Sequence, residues 1–281
     1  MTINYKRNFQ KHSKTFSFAA KFFGKKTGTA TAKLYYFFRT VDDLADSELE
    51  MSIDERKDLI RQALNSSEIK QLKKQYNIPN KILEVFINYS IADIDLERLN
   101  CEKELLSYCY GVASTVGLSM CHLFGVTSEK AFYHAIDLGI AMQLTNMCRD
   151  VFEDYENNRI YLPDLIPEYF KYEDQDNIFS IQKKYLDLAD EYYLSGFEGL
   201  IYLPIRARLV VYIAAKLYHH IGHQILIDKN FKKRSYVSKF SKIGLSLQYV
   251  CSFLFKHLKM KDVTHQQSLH KSIVELPYAN Q

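Results

Sequence analysis

Glycine and proline are scarce in this chain of 281 residues, which contains 10 Gly and 5 Pro. Soluble proteins average roughly 7% Gly and 5% Pro, so few residues here interrupt a helix or start a tight turn. Long uninterrupted elements are therefore expected, which favours helices over the frequent turns of a β protein. Tryptophan is absent, but 21 Tyr and 18 Phe supply aromatic surface for a packed core or for an apolar cavity.

Several targeting and metal-binding patterns are also missing. The five cysteines form no C-x-x-C pair and have no His-rich spacing beside them, so they do not suggest a zinc site. The first ten residues carry Lys6 and Arg7 but no apolar run, and no signal peptide is visible. No stretch approaches 18 uninterrupted apolar residues, which argues against a membrane-spanning helix. We therefore expect a cytoplasmic protein with free thiols.

The charge of the chain is nearly balanced, with a formal net charge of +4 at pH 7. This small excess predicts no nucleic-acid partner. The basic residues are unevenly distributed, since nine Lys or Arg and no Asp or Glu lie between Lys229 and Lys261. Such a block suits an anionic membrane surface or a diphosphate, and it also suits an ordinary solvated helix face. Peripheral contact with the inner face of the membrane is therefore one hypothesis for this segment.

The hydrophobic pattern predicts an all-α fold. Strand-like alternation is nearly absent, and no internal repeat or linker divides the chain, so one domain over residues 1–281 is the simpler organisation. Breaks fall at glycine and proline positions such as Gly125 and Pro163. Apolar residues recur with the 3.6-residue period of a helix in nine segments: 12–23, 29–47, 53–64, 80–97, 102–124, 128–157, 179–198, 204–227 and 236–259.

Two D-x-x-x-D motifs, Asp42/Asp46 and Asp150/Asp154, lie more than 100 residues apart. Residues four apart project from the same face of a helix, about one turn from each other. Arg39 lies on the same stripe as the first pair. One such pair is common on an exposed helix, but two on predicted helices suggest a shared site.

The second motif belongs to a polar stripe on a long helix that is otherwise apolar. The stripe contains Gln143, Asn146, Asp150, Glu153, Asp154 and Asn157. A polar stripe beside a broad apolar face is what an internal cavity requires. Facing carboxylates repel unless cations lie between them, and ligands that are all oxygen favour Mg²⁺, with Mn²⁺ as an alternative. A di-iron site would need Glu-x-x-His on two helices, and no such pair exists here.

The segments around these motifs resemble the squalene and phytoene synthase family. The first motif lies in Arg39-Thr-Val-Asp42-Asp43-Leu-Ala-Asp46, and the second lies in the run from Gln143 to Pro163. Three further segments match in the family's order: 12–17, rich in hydroxyl groups, 108–117, which reads YCYGVASTVG, and 218–242, which closes the pattern. The resemblance covers roughly residues 8–245, and an accidental match at five ordered positions is improbable.

This resemblance implies a single-domain isoprenoid-synthase helical bundle around a central cavity. The implied metal ligands are Asp42, Asp46, Asn146, Asp150 and Asp154. The implied diphosphate contacts are Ser13, Thr15, Arg39, Arg149, Tyr218, Arg234 and Lys242. Tyr108 and Gln143 would line the reacting region, and with Arg39 and the four motif aspartates they form the implied catalytic set.

The family resemblance implies head-to-head coupling of two allylic prenyl diphosphates through a cyclopropylcarbinyl diphosphate. Segments 196–206 and 218–222 look most like bacterial phytoene synthases, which favours two geranylgeranyl diphosphates as substrates and phytoene as product. A squalene or dehydrosqualene synthase that uses farnesyl diphosphate is the alternative, and NADPH would be needed only for squalene. Head-to-tail elongases favour D-D-x-x-D; the first motif, Asp42-Asp43-Leu-Ala-Asp46, fits that pattern, but the second, Asp150-Val-Phe-Glu-Asp154, does not. A non-catalytic assembly factor is a further alternative, although such relatives tend to lose aspartates.

Some positions depart from the family pattern or carry no assigned role. Phe152 and Ser114 both stand where glycine is usual, and Phe152 should point away from the acidic stripe and change packing only. Asp93 and Asp95 are candidates to line the cavity. The remaining notable group is a set of histidines, His219, His220 and His223, which we interpret as exposed or core side chains rather than metal ligands.

Overall fold

The computed structural model describes residues 24–46, 51–256, 261–262 and 264–280. The described residues form an all-α structure, as predicted, and their only β contact is one isolated bridge between Arg98 and Ile160. The segment predicted as a helix at 12–23 lies outside these residues. The helices are α1 (Lys25–Asp46), α2 (Ile53–Ala63), α3 (Ser67–Tyr76), α4 (Asn80–Asp93), α5 (Glu102–Cys109), α6 (Thr115–Leu123), α7 (Glu129–Glu156), α8 (Pro167–Lys171), α9 (Gln175–Glu198), α10 (Ile205–Asp228) and α11 (Lys239–Lys256).

The long helix α7 lies at the centre of the bundle and contacts α5, α6, α9 and α10. Its buried residues lie on several faces, and a helix that is apolar on most sides is stable only inside a protein. Gly139 allows a close approach to the backbone of Ser114, because a Cβ there would lie 2.5 Å from the Cα of Ser114. The apolar faces of α7 therefore dictate its central position, while its polar stripe is half-buried at Asp150 and exposed at Glu153 and Asn157.

Ser114 belongs to a π-helical turn, Tyr110–Ser114, that joins α5 to α6. The predicted helix at 102–124 is therefore continuous, but one turn of it is wider than an α-helix. The Ser114 hydroxyl donates a hydrogen bond of 2.7 Å to the carbonyl oxygen of Ile136 on α7. The serine thus replaces the usual glycine at no cost in unpaired polar groups, because its hydroxyl has a partner.

The sequence pattern missed two helices and overextended a third. In α3 only Ile69 and Leu72 are buried, so the apolar signal is weak, and the helix depends on its Ser66 cap and its left-handed end at Asn77. The five-residue helix α8 is too short for a periodic pattern. The segment predicted as helical to residue 97 ends at Asp93, where the chain turns toward the bridge at Arg98.

The C-terminal tail, residues 264–280, packs against the centre of the bundle. Leu269, Ile273 and Ala279 join the same buried cluster as α7. The hydroxyl of Tyr192 on α9 donates a hydrogen bond of 2.7 Å to the carbonyl oxygen of Leu269. The Tyr110 hydroxyl donates to the carbonyl oxygen of Pro277. The tail is therefore part of the core.

None of the helices in the described part of the chain is long and apolar enough to cross a membrane.

Candidate active site

The two acidic motifs face each other across a cleft, and Asp93 lies between them. Arg159 Nη1 lies 3.0 Å from Asp46 Oδ1 of the first motif and 3.4 Å from Asp93 Oδ2 at the end of α4. Repulsion from Asp93 also contributes to the raised pKa values of Asp42 on α1 and Asp154 on α7. One carboxylate is thus close to both stripes. We call Asp42, Asp46, Asp93, Asp150 and Asp154 the acidic cleft.

Crowding makes the carboxyl groups of the cleft difficult to ionise together. Loss of hydration, followed by repulsion from Asp150 and Glu153, raises the pKa of Asp154 to about 8. The side chain of Asp42 keeps 52% of its surface exposed, but the surrounding protein partly dehydrates its carboxyl group. Together with repulsion from Asp46, this raises the pKa of Asp42 to about 7. A bound cation would relieve this repulsion.

Two tyrosines hold Asp93 in place. The Tyr161 hydroxyl donates a hydrogen bond of 2.9 Å to Asp93 Oδ1, and the Tyr108 hydroxyl also bonds to this carboxylate. The two rings pack with centroids 5.1 Å apart. Burial, followed by repulsion from Asp93, raises the pKa of the Tyr108 phenol well above its ordinary value, so it stays protonated at neutral pH. Tyr108 therefore lies beside the carboxylates of the cleft.

A short backbone pairing brings Arg159 and Tyr161 to the cleft. Helix α7 ends at Glu156, and Asn158 takes a left-handed conformation with φ 59°. The Ile160 amide then donates to the carbonyl oxygen of Glu97 at 2.8 Å, and the Leu99 amide donates to that of Ile160 at 3.0 Å. Arg159 and Tyr161 lay within the recognised second-motif segment but had no assigned role, because only this pairing shows that they reach Asp93.

The three predicted arginines all contact acids of the two motifs. Arg39 pairs with Asp42 at 2.8 Å. Arg149 binds both carboxylate oxygens of Asp150, with Nε 2.8 Å from Oδ1. Arg234 comes from the loop after α10, and its Nε lies 3.0 Å from the same Oδ1. These guanidinium groups lie at the acids of the cleft, within reach of an anion that binds there.

Three predicted residues are not placed in this cleft. Ser13 and Thr15 lie outside the described residues. Lys242 lies in the first turn of α11, and within the part of the chain that the structure describes no ion pair joins it to an acid of the cleft. Asp95, which was a candidate with Asp93 to line the cavity, pairs instead with Lys57 on the surface. Their roles at the site stay predictions.

An apolar cavity of about 270 Å³ extends from the cleft along one face of α7. Eight residues of α7 line it at spacings of three and four: Ala131, His134, Ala135, Leu138, Gly139, Met142, Gln143 and Asn146. These positions span about 22 Å at 1.5 Å per residue. Asn146 is one turn before Asp150, so this end of the cavity adjoins the acidic cleft. Tyr218 of α10 also lines the cavity.

The oxygen donors of the cleft fit a magnesium site. Asn146 Oδ1 is buried and has no hydrogen-bond partner among the residues that the structure describes. This oxygen lies on the same stripe as Asp150 and Asp154, one and two turns further along α7. Carboxylate and amide oxygens are ligands that Mg²⁺ accepts while it keeps positions for water and phosphate. The unsatisfied amide oxygen and the crowded carboxyl groups therefore both favour a cation.

The chain belongs to the squalene/phytoene synthase family, whose model matches residues 9–241. The family predicted from the motifs is therefore confirmed. The match includes both acidic motifs, Arg159 and Tyr161, and it ends just before Lys242.

Individual relatives match most of the length of this chain. A 15-cis-phytoene synthase of Enterobacter agglomerans is 31% identical over 248 residues, which cover 76% of this chain and 82% of that protein. A 4,4'-diapophytoene synthase of Staphylococcus haemolyticus is 29% identical over 263 residues, which cover 82% and 90%. The fold matches a dehydrosqualene synthase crystal structure with a TM-score of 0.76 and 23% identity, over 90% of this chain and 95% of that one.

Proposed function

We propose that this protein is a Mg²⁺-dependent phytoene synthase. It would join two molecules of geranylgeranyl diphosphate head to head, through a cyclopropylcarbinyl diphosphate, and form phytoene by loss of a proton. The observation that carries the proposal is the junction at Asn146, where the apolar cavity meets the acidic cleft. A prenyl diphosphate has the same two parts, an apolar chain and a charged head group.

The residues around the cleft would bind and activate the diphosphate groups. Mg²⁺ held by the acids and Asn146 would neutralise the phosphate oxygens and stabilise the leaving diphosphate. Arg39, Arg149 and Arg234 would exchange their present carboxylate partners for phosphate oxygens, since guanidinium binds both anions in the same bidentate geometry. Breaking the allylic C–O bond then places the developing negative charge among fixed positive groups, which lowers the barrier.

The cavity would protect the carbocation that remains after the diphosphate leaves. Its walls are aliphatic except for a few groups such as Gln143 and Tyr218, so little water can reach the cation. The paired rings of Tyr108 and Tyr161 lie beside Asp93, and ring faces attract a cation. Because both hydroxyls bond to Asp93, the ring orientation is fixed before substrate binds.

Substrate length separates the main proposal from its alternative. A chain of four isoprene units needs a long channel, and the channel here follows about four turns of α7 with many Ala and Gly residues in its walls. Coupling of farnesyl diphosphate is the second candidate, since the S. haemolyticus relative is named a 4,4'-diapophytoene synthase and is almost as similar as the phytoene synthase. Identity alone does not choose between them.

A product assay tests the proposal directly. The purified protein would receive Mg²⁺ and either geranylgeranyl or farnesyl diphosphate, with and without NADPH. We expect a C40 hydrocarbon from the C20 substrate without NADPH, and its loss in Asp150→Asn. Asp58→Asn, which alters an exposed acid on α2, is the matched control. A C30 product would identify farnesyl diphosphate as the substrate and leave the family unchanged. No product from either substrate would favour the assembly-factor alternative.

We further propose that α11 touches an anionic membrane surface, where an apolar product would leave. Ile243, Leu247, Leu254 and Phe255 expose 59–74% of their surface along this helix. They lie within the segment that contains nine basic and no acidic residues, which is the pattern of an interfacial helix. The double variant Leu247→Ser/Phe255→Ser should bind vesicles that contain anionic lipid more weakly than the parent protein does. Both proteins should bind neutral vesicles poorly. Equal binding by this variant and the parent would refute the contact.

A further inference from the structure

A second cluster of ionisable groups lies in the core, away from the acidic cleft. Asp137 of α7 meets His265 and His270 of the C-terminal tail, and these side chains expose 0%, 2% and 3% of their surface. His265 Nε2 is 2.7 Å from Asp137 Oδ2, and His270 Nε2 is 2.8 Å from Oδ1. Asp137 precedes Asp150 by thirteen residues, or about 20 Å along the helix. This cluster therefore needs an explanation of its own.

The hydrogen bonds of His270 show which ring nitrogen carries a proton. Its Nδ1 lies 3.0 Å from the carbonyl oxygen of Ala279. A carbonyl oxygen only accepts, so Nδ1 is the N–H. In the neutral ring Nε2 then carries a lone pair, which faces the carboxylate of Asp137. Two lone pairs repel at 2.8 Å, so a cation, either a proton or a metal ion, must lie between the two groups.

Several features of the surroundings suit a metal cation. The rings of His265 and His270 are 4.5 Å apart, so both can reach one ion beside Asp137. Two of the three ligands also have the outer support that metal ligands have in proteins. The Ala279 carbonyl orients His270, and the Ser195 hydroxyl donates to Asp137 Oδ2. Ser195 in turn lies 2.9 Å from Nδ1 of His134.

The donor set and its size suit zinc. One donor atom from each of the three residues lies within 4.8 Å of the others, and both carboxylate oxygens face an imidazole. Two histidines and a carboxylate are common zinc ligands, at about 2.0–2.1 Å from the metal. Tetrahedral bonds of that length separate the ligand atoms by about 3.3 Å, so each N–O pair would open by about 0.5 Å.

We propose that Asp137, His265 and His270 bind a zinc ion, with a water molecule as the fourth ligand, and that this ion fixes the C-terminal tail to α7. The tail and α7 contact each other through residues far apart in sequence, so a shared metal would tie the end of the chain to its centre. His134, one turn before Asp137, lines the apolar cavity. The site therefore stabilises the wall at the end of the cavity that is distant from the acidic cleft.

Metal analysis of the full-length protein tests this proposal. The protein would be purified from cells supplied with Zn²⁺ and then dialysed against excess Mg²⁺, so that Mg²⁺ and not Zn²⁺ occupies the acidic cleft. We expect one tightly held Zn²⁺ per chain by elemental analysis. The double variant His265→Gln/His270→Gln should lose it. The control variant His223→Ala removes a histidine whose ring packs against that of His219 on α10, and it should retain the zinc.

The stability of the parent protein gives a second readout. After removal of metal with a chelator under denaturing conditions and refolding in Mg²⁺, added Zn²⁺ should raise Tm, because a ligand that binds only the folded state stabilises it. Co²⁺ in the same site should give the absorption bands of tetrahedral coordination. A parent protein that carries no zinc and whose Tm does not respond to Zn²⁺ would overturn the proposal, as would equal zinc in the double variant. The cluster would then be a protonated ion pair.

Discussion

Arg159 and Asp93 are separated by 66 positions in the chain, yet Nη1 of the arginine lies 3.4 Å from Oδ2 of the aspartate. The same Nη1 lies 3.0 Å from Asp46. One guanidinium group therefore reaches two helices that carry acids of the cleft. Its position depends on the backbone pairing of Ile160 with residues 97–99, which is a contact between segments that no local pattern predicts.

Loss of this arginine should disable the cleft without unfolding the protein. In Arg159→Gln the acids Asp46 and Asp93 lose their shared counter-charge, and the placement of any bound cation changes. We expect product formation to fall about 100-fold, which is the usual effect of removing one charged or polar stabilising group from an active site. Helix content should stay unchanged by circular dichroism. Arg61→Gln removes an exposed ion pair on α2 and should leave the rate unaltered. A normal rate in Arg159→Gln would show that the contacts of Arg159 with Asp46 and Asp93 are dispensable.

The pH dependence of stability should reveal the crowded carboxyl groups. Asp42 and Asp154 have folded-state pKa values of about 7 and about 8, above the ordinary value of a carboxyl group. Between pH 4 and pH 8 the folded state thus holds more protons than the unfolded state, and the free energy of unfolding falls as pH rises. In a chelator, Tm should be lower at pH 8 than at pH 6. Asp154→Asn should flatten this slope, and Asp58→Asn should not.

Magnesium should reverse that trend, because it binds the ionised carboxylates. The stabilisation by Mg²⁺ should be larger at pH 8 than at pH 6, since protons compete with the metal at the lower pH. Scanning calorimetry with and without Mg²⁺ at each pH measures this. A stabilisation that does not depend on pH would mean that the metal avoids Asp42 and Asp154.

The far part of the cavity should control the length of the substrate. Ala135 lies eleven residues before Asn146, or about 16 Å along α7 from the end that adjoins the cleft. In Ala135→Phe the new ring would fill this space. We expect turnover of geranylgeranyl diphosphate to fall at least about 10-fold, the effect of roughly 1.4 kcal/mol, while that of farnesyl diphosphate changes less. Assays of both substrates on one enzyme preparation provide the control. An equal loss for both would point to a general packing defect.

Phe152 should contribute to stability and not to catalysis. It stands where glycine is usual in the family, and its ring packs edge to face on Phe231, with centroids 5.8 Å apart. Phe152→Ala should lower the free energy of unfolding by about 2 kcal/mol, less than for a fully buried ring. The rate per folded molecule should stay the same. Tyr172→Ala removes an aromatic ring that is 71% exposed, and its unfolding free energy should hardly change. Denaturant unfolding of both variants makes the comparison.

The helices with strong apolar stripes were predictable from sequence, because the periodic pattern reports which face is buried. The prediction for α7, 128–157, differs from the observed helix by one residue at each end. The weaker helix α3 was missed because capping residues, rather than apolar residues, define it. The departures at Ser114 and Phe152 were visible in the sequence, but only the structure shows the partner of each, Ile136 and Phe231.

The sequence by itself determined the family, the all-α class and the two acidic stripes, since each depends on residues close together in the chain. The order of helices around α7 and the position of Asp93 between the stripes required the tertiary structure. The same holds for the cluster of Asp137, His265 and His270, whose members are 128 and 133 residues apart. The physical reason is that local patterns determine which faces are polar or apolar, whereas the distance between two side chains on different segments depends on how all the helices pack together.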